Sequence, residues 1–194
     1  AAGRASFELA RHFEQVTGVD FSARFIGLGV QLLQTGALRY TLPDEGELVF
    51  YRERRLDALG LDVVRHRVEF LQGDACNLKP NLAGYDLILA ANLIDRLYKP
   101  AQFLRAVHER LNSGGLLVIA TPCTWLAEHT PRAEWIGGFK KDGERFTTLD
   151  GLKDLLGAHF RLLEGPHEVP FVIRETRRKF QHTLSEITVW ERRP

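Results

Sequence analysis

The sequence predicts an α/β fold, a mostly parallel sheet with helices on both faces. Three observations predict it. Short apolar runs alternate with segments of helical periodicity, the connections between them are short, and three runs end on a polar residue, Asp20, Asp74 and Asn92. With 194 residues the chain has enough material for one continuous core, so a single domain over 1–194 is expected.

Each element follows from its pattern. Phe7, Leu9, Ala10 and Phe13 give a helix over Ser6 to Phe13 one buried face. Val16 to Asp20 reads as a short strand. Ser22 is a good N-cap for a helix carrying Phe25, Ile26, Val30 and Leu33. Alternation around Pro43-Asp-Glu-Gly46 predicts a β-hairpin insertion at 38–51, with Tyr40 and Leu42 on one face opposite Leu48 and Phe50. A short helix is expected over Leu56 to Arg65 and a strand over Val68 to Gln72, closed by Gly73-Asp74. Tyr85 to Ala91 is almost wholly apolar, which predicts a strand covered on both faces.

Pro100 presets the first turn of a helix with Phe103, Leu104, Val107 and Leu111 inward, stopped by Asn112-Ser-Gly-Gly115. Leu116 to Ala120 is another apolar strand. The stretch 121–146 is long and holds Trp125, Trp135 and Phe139, so it reads as a lid. A helix over Thr148 to Leu156 leads to strands Phe160 to Leu163 and Thr183 to Trp190. The last strand follows no crossover helix and is expected to insert antiparallel.

Composition narrows the function. Lys and Arg number 26 against 25 Asp and Glu, a net charge of +1, so no global field recruits nucleic acid or a membrane. No apolar run reaches the roughly 18 residues of a membrane span, and AAGRASFELA lacks the pattern of a signal peptide. Cys76 and Cys123 stand too far apart for a redox or metal pair, and a cytoplasmic location is expected. Seven histidines show no i, i+4 pair beside a carboxylate, so no metal site is expected. The chain has no Met and opens inside what reads as the tail of a glycine loop, so further chain is expected before Ala1.

In open α/β sheets, ligands bind outside the carboxyl ends of strands. Gly3, at the mouth of a helix, permits close approach of backbone and ligand. Asp20, 17 positions on, is placed to accept hydrogen bonds from both ribose hydroxyls, and Phe21 to cover an adenine face. Asp74 with Ala75, and Asn92, complete the set of cofactor-binding candidates. Each acid is equally placed to cap the following helix, and Gly3 to serve a turn. Strand, glycine loop, helix and acid suit a dinucleotide as well as S-adenosylmethionine.

Two segments favour the methyl donor. Leu111-Asn-Ser-Gly-Gly-Leu-Leu-Val-Ile119 and Thr183-Leu-Ser-Glu-Ile-Thr-Val-Trp190 resemble the helix-end signature and closing antiparallel strand of class I methyltransferases. That resemblance implies a Rossmann-like α/β fold with a mostly parallel seven-stranded sheet and antiparallel last strand. It also implies S-adenosyl-L-methionine as cofactor and S-adenosyl-L-homocysteine as product.

A closer resemblance rests on Gly73-Asp-Ala-Cys-Asn-Leu78, Asp86-Leu-Ile-Leu-Ala-Ala-Asn-Leu-Ile-Asp-Arg-Leu97, Thr121-Pro-Cys-Thr-Trp125, Trp135-Ile-Gly-Gly-Phe-Lys140 and Pro170-Phe-Val-Ile-Arg-Glu-Thr-Arg-Arg-Lys-Phe180. These segments resemble the methyltransferase of ovothiol biosynthesis, which N-methylates the imidazole of 5-thiohistidine (4-mercaptohistidine). That family occurs free-standing or fused behind an iron-dependent sulfoxide synthase, which makes such a synthase the implied partner. Members have an apolar strand ending in an acid, and a first glycine, just before the residues matching Ala1 to Gly3. The first strand of the sheet is therefore expected upstream of residue 1.

The resemblance and the strand-end geometry together pick Asn92 and Asp95 as catalytic candidates. Arg96, Arg174 and Arg178 are candidates for the carboxylate of an amino-acid substrate, with Trp125, Trp135 and Phe139 as an apolar wall over its ring. The alternative readings are an exposed Asp95-Arg96 pair at a helix start, a solvated basic stretch at Arg174 to Lys179, and aromatics that serve only packing. His129 and His182 are both open as general base. Methylation of another small molecule or of RNA, and a non-catalytic partner domain, are the competing functions.

Overall fold

The computed structural model describes residues 3–194. These form two compact units, one of residues up to Ala75 together with Ile173–Gln181, the other of Cys76–Val172 with His182–Pro194.

The first unit contains α1 (Arg4–Leu9), β1 (Val16–Asp20), α2 (Ala23–Thr35), β2 (Ala37–Pro43), β3 (Val49–Arg55) and β4 (Val68–Gln72). β1 and β4 pair in parallel, from Val16 opposite Val68 to Asp20 opposite Gln72. Ser22 caps α2 by accepting from the Phe25 amide at 3.4 Å, and Gly36 ends it in the left-handed conformation at φ 69°. β2 and β3 form an antiparallel hairpin in which Leu42 faces Phe50 and Tyr40 faces Arg52. Phe7, Ala10, Leu32, Leu56, Leu61, Val64 and Val68 make the core.

Phe70 organises the packing around that core. A Cβ at Gly3, Gly18 or Gly29 would lie 2.5, 2.6 or 2.8 Å from its ring, so three glycines from three separate segments enclose one side chain. Phe7 closes on it edge-to-face at 5.7 Å. The helix expected over Leu56 to Arg65 is instead two 3₁₀ turns, Asp57–Leu59 and Asp62–Arg67. Gly60, left-handed at φ 64°, breaks the periodicity between them.

The second unit contains β5 (Tyr85–Ala91), α3 (Pro100–Ala106), β6 (Leu111–Thr121), β7 (Phe139–Lys141), β8 (Glu144–Phe146) and α4 (Thr148–Leu156). β9 (Phe160–Arg174) and β10 (Phe180–Arg192) belong to it except for the 173–181 stretch. The sheet order is β5-β6-β10-β9, with β5 parallel and β10 antiparallel to β6. Asn112-Ser-Gly-Gly115 bulges from β6 between the pairs Tyr85–Leu111 and Leu87–Leu116, instead of lying wholly outside the strand. β7 and β8 turn through Asp142-Gly143, both at positive φ (53° and 85°), as a tight hairpin turn requires. Thr147 and Asp150 form a capping box at α4.

Among the described residues β1 and β4 form a two-stranded parallel sheet and β5, β6, β10 and β9 a four-stranded one; the first strand that the resemblance puts upstream of residue 1 falls outside them. Of β5, expected from its apolar run to be covered on both faces, only Ala90 is buried, and Leu89 is 39% exposed. β6 is the buried strand, with Leu117, Ile119, Ala120 and Thr121 all enclosed. The glycine loop expected at Ala1 to Gly3 lies outside the described residues except for Gly3. No helix among the described residues is long and apolar enough to cross a membrane.

Replacing Gly18 with Ala drives a methyl into the Phe70 ring and is expected to cost about 1–3 kcal/mol in urea denaturation. Gly27→Ala in α2 meets nothing within 4 Å and should raise stability by about 0.5–1 kcal/mol in the same assay.

Candidate functional site

In the first unit Asp20 ends β1, half-buried, and its Oδ1 accepts from the Ser22 amide at 2.8 Å. The acid therefore shapes the turn into α2 as well as lining the site. Next to it Phe21 is held through its carbonyl by the Gln72 amide at 3.1 Å, while its ring is 75% exposed. An aromatic face with its backbone fixed and its ring in solvent is available to stack on a flat ligand. Gly3 takes φ 97° at the start of α1.

Gly3, Gly18, Val19 and Asp20 line one side of a cavity of about 720 Å³, with Ser6, Ile26, Leu38 and Phe70 among its other walls. That volume lies within the range of small-molecule pockets, and its apolar walls with few polar groups match their usual chemistry. Phe21, Asp74 and Ala75 do not line it, although Asp74 and Ala75 are half-buried just beyond the end of β4.

The basic stretch expected to hold a substrate carboxylate falls in this unit and is largely engaged. Arg174 donates to the Thr176 carbonyl at 3.0 Å and lies over the Phe180 ring. Arg178 pairs with Glu45 at 3.4 Å with both side chains well exposed, and Lys179 pairs with Glu175. Lys179 and Gln181 hold the Glu175 carboxyl below its ordinary range.

In the second unit the ends of β5 and β6 meet in one polar cluster. Asn92 takes φ 51°, donates its amide to the Ala120 carbonyl at 2.6 Å and accepts from the Ser185 hydroxyl at 2.8 Å. Cys123 takes φ 54°, its amide bonded to Thr121 Oγ1 at 3.1 Å. Left-handed non-glycine residues cost on the order of 1 kcal/mol or more each and cluster where function holds them. Burial pushes the Cys123 thiol up, and the negative charges of Glu186 and Asp95 push the same way against hydrogen bonds from Thr148 and Thr121.

Asp95, a catalytic candidate from the sequence, is fully buried and not part of an exposed helix-start pair. Its Oδ2 accepts from Arg96 at 2.8 Å, from the Thr124 amide at 3.2 Å and from the Thr124 hydroxyl at 3.0 Å, which ties the loop after β5 to the loop after β6. Arg96, a candidate for a substrate carboxylate, also donates from Nη1 to the Thr124 carbonyl and from Nη2 to the Thr124 hydroxyl.

The lid segment is packed in place. Trp125 is buried and donates to Thr148 Oγ1 at 2.9 Å, and Trp135 donates to the Thr130 carbonyl at 2.8 Å. A Cβ on Gly151 would overlap the Ile136 carbonyl, so α4 touches the lid backbone directly. Phe139 stacks on Phe146 at 5.3 Å, and Arg132 lies 4.4 Å from Trp135 and 5.4 Å from Phe139. His129 pairs with Glu128 at 3.4 Å, and His182 is exposed on β10. Among the described residues no three His, Cys, Asp or Glu side chains gather as metal ligands.

Sequence reasoning passed over Ser185, Cys123 and Glu186. The available signal was an acid and a serine in the apolar-threaded strand Thr183 to Trp190, which the sheet order places between two other strands.

An α/β architecture with polar groups gathered at strand ends is that of an enzyme binding its ligands there. The chain belongs to the methyltransferase-domain family, which it matches over residues 2–159. No curated protein matches it. An enzyme that converts a disulfide bond into a thioacetal group during echinomycin biosynthesis shares 16% identity and a TM-score of 0.62, over 100% of this chain and 72% of its own. A SAM-dependent methyltransferase from Methanosarcina mazei shares 15% identity at a TM-score of 0.57, over 99% of this chain and 88% of its own. The N-methyltransferase NodS from Bradyrhizobium japonicum, solved with S-adenosyl-L-homocysteine, shares 16% identity at a TM-score of 0.55, over 99% and 74%. At these identities the likeness is one of fold: a mixed α/β methyltransferase fold.

Asp95→Ala removes the acceptor of three hydrogen bonds and should cost about 2–4 kcal/mol in chemical denaturation. Because its thiol is pushed up, Cys123 should react with iodoacetamide at pH 8 more slowly than free cysteine. Equal rates at Cys123 and in a free-cysteine control would contradict the burial described.

Proposed function

We propose that the protein is an S-adenosyl-L-methionine-dependent N-methyltransferase whose acceptor is the imidazole of 5-thiohistidine, giving ovothiol A. Membership of the methyltransferase family supports the reaction class, and the cavity beside Asp20 is the observation that carries the donor reading. The residues present fit the donor. The cavity is nucleotide-sized, Gly3 and Gly18 bring backbone to its wall, and Asp20 supplies an acid to it. Asp20 would take the ribose hydroxyls, and the Phe21 ring, which is exposed and does not line the cavity, would cover the adenine only where that base extends past Asp20 out of the pocket. The likeness to NodS, solved with the demethylated donor product, supports the same cofactor pair.

When bound, the donor supplies a methyl group on a positively charged sulfur. The protein's task is alignment, exclusion of water and delivery of a neutral nitrogen lone pair. In 5-thiohistidine an acidic thiol leaves a thiolate beside an imidazolium, so the nitrogen must lose a proton before it attacks. The acceptor reading rests on the resemblance of the segments around Gly73, Asp86, Thr121, Trp135 and Pro170, with the ring nitrogen nearer the side-chain branch as the implied target. Asn92 stands at the end of β5 with its amide oxygen already held by Ser185, ready to orient a group at that strand end. The partner implied is an enzyme that makes the sulfur-substituted histidine, an iron-dependent sulfoxide synthase fused or separate.

Isothermal titration should find S-adenosyl-L-homocysteine bound, and Asp20→Ala should weaken it by roughly 10- to 100-fold, the worth of a charged hydrogen-bond acceptor. Mass spectrometry of a reaction with 5-thiohistidine should find one added methyl group. Turnover of a different amine or thiol, with none of 5-thiohistidine, would keep the reaction and overturn the acceptor.

A further inference from the structure

The cavity beside Asp20 is apolar over most of its wall, through Leu32, Leu38, Leu56 and Phe70, yet the guanidinium-bearing residues Arg4, Arg54 and Arg55 line it too. Two of these are committed. Arg4 pairs with Glu8 one helical turn on, and Arg55 pairs with Asp57 at 2.7 Å and Glu53 at 3.9 Å. Among the described residues Arg54 makes no hydrogen bond and no ion pair.

Strand register explains where Arg54 stands. It lies directly opposite Leu38 in the β2–β3 hairpin, so the two share one face of that ribbon, and both line the cavity. Arg52, two positions back on the same face of β3, lies over the Phe50 ring at 5.1 Å and does not line it. α2 begins just after Asp20 and ends just before β2, and its Ile26 and Leu32 belong to the same wall. Asp20 and Arg54 therefore stand toward opposite ends of one apolar surface, an acid at one end and a cation at the other.

Those two charges give the cavity a direction. An anionic group entering an apolar wall needs a cation beside it, because an unpaired charge is expensive to desolvate. The Asp20 end repels such a group and accepts hydroxyls instead. Arg54 is the cation left to receive it, with a planar fork that matches the two oxygens of a carboxylate. Its exposure keeps the charge hydrated until a ligand arrives.

We propose that Arg54 recognises the carboxylate at the amino-acid end of the methyl donor, and so sets the cavity's preference for a nucleoside that carries an amino acid. This rests on the donor reading above and deepens it. The ribose meets Asp20, the base extends past it, and the amino-acid chain runs along the apolar wall to Arg54. The β2–β3 insertion thereby acquires a task, which is to carry that guanidinium to the cavity. No bond is made or broken, and the effect of Arg54 is on affinity.

The test is isothermal titration of the whole protein with two probes that differ only in the carboxylate, S-adenosyl-L-homocysteine and its decarboxylated analogue S-adenosyl-3-thiopropylamine. The wild type should bind the first about tenfold more tightly, the worth of a charged hydrogen-bonded pair. Arg54→Gln should weaken S-adenosyl-L-homocysteine by that factor and leave the analogue as before. Arg54→Lys keeps the charge without the fork and should retain part of the preference. Arg52→Gln removes a neighbouring charge from the same strand face and should change neither affinity, which separates contact from the general field of the hairpin. Equal weakening of both probes by Arg54→Gln marks a structural role and overturns the proposal. A wild type that binds both probes equally overturns it while the donor reading stands. ADP, with phosphates in place of the amino-acid chain, covers the other source of an anion. If Arg54→Gln weakens ADP and spares S-adenosyl-L-homocysteine, the group held there is a phosphate and the proposal falls. Failure of the wild type to bind either adenosyl probe overturns the donor reading and this one together.

Discussion

The arrangement of the second unit depends on one buried carboxylate. Asp95 is fully buried and takes its hydrogen-bond donors from two loops. The loop after β5 supplies Arg96 and the loop after β6 supplies Thr124. Breaking that tie would free both loops together, and each contains a residue in the left-handed region, Asn92 or Cys123. Left to themselves such residues relax toward ordinary conformations. The tie therefore does for the strand ends what a substrate contact could not: it keeps the polar cluster assembled before any ligand arrives. Its Oδ1 finds no partner among the described residues, which marks how much desolvation the arrangement accepts.

The first unit solves a different problem by removing atoms instead of adding contacts. Phe70 needs room where α1, β1 and α2 converge, and Gly3, Gly18 and Gly29 provide it by having no side chains. The same glycines serve the cavity wall, since Gly3 and Gly18 line it together with Phe70. Packing and ligand access thus compete for the same backbone. A side chain at Gly18 would disturb the core and the pocket at once.

Periodicity made much of this legible from the sequence. α2 begins at Ser22 and α4 runs over Thr148–Leu156 because caps and apolar spacing are local properties. The β2–β3 hairpin was legible from alternation, and the antiparallel β10 from the lack of a crossover helix before it. What composition could not reveal was depth. Tyr85 to Ala91 and Leu116 to Ala120 are both apolar runs, yet the first leaves Leu89 exposed and the second is largely enclosed, because what packs on each strand comes from far along the chain. The helix over Leu56 to Arg65 failed for a local reason that was visible: Gly60 stood inside it. At the site, Asp20 ends its strand as the pattern implies, whereas Arg96, Arg174 and Arg178 were read as open forks and are engaged with their own neighbours.

Asp95 and Glu186 put that limit most sharply, since they are chemically alike and their fates are opposite. Asp95 follows an apolar strand and reads as a catalytic acid, but its burial is complete and its partners are backbone, hydroxyl and guanidinium. Glu186 sits mid-strand in β10, half-buried, and burial raises its carboxyl above the ordinary glutamate range. One acid is wrapped in donors; the other is desolvated without them. The distinction between architecture and chemistry at these strand ends is therefore set by the partners each carboxylate lacks, and those are fixed by strand order, not by the residues beside it in the chain.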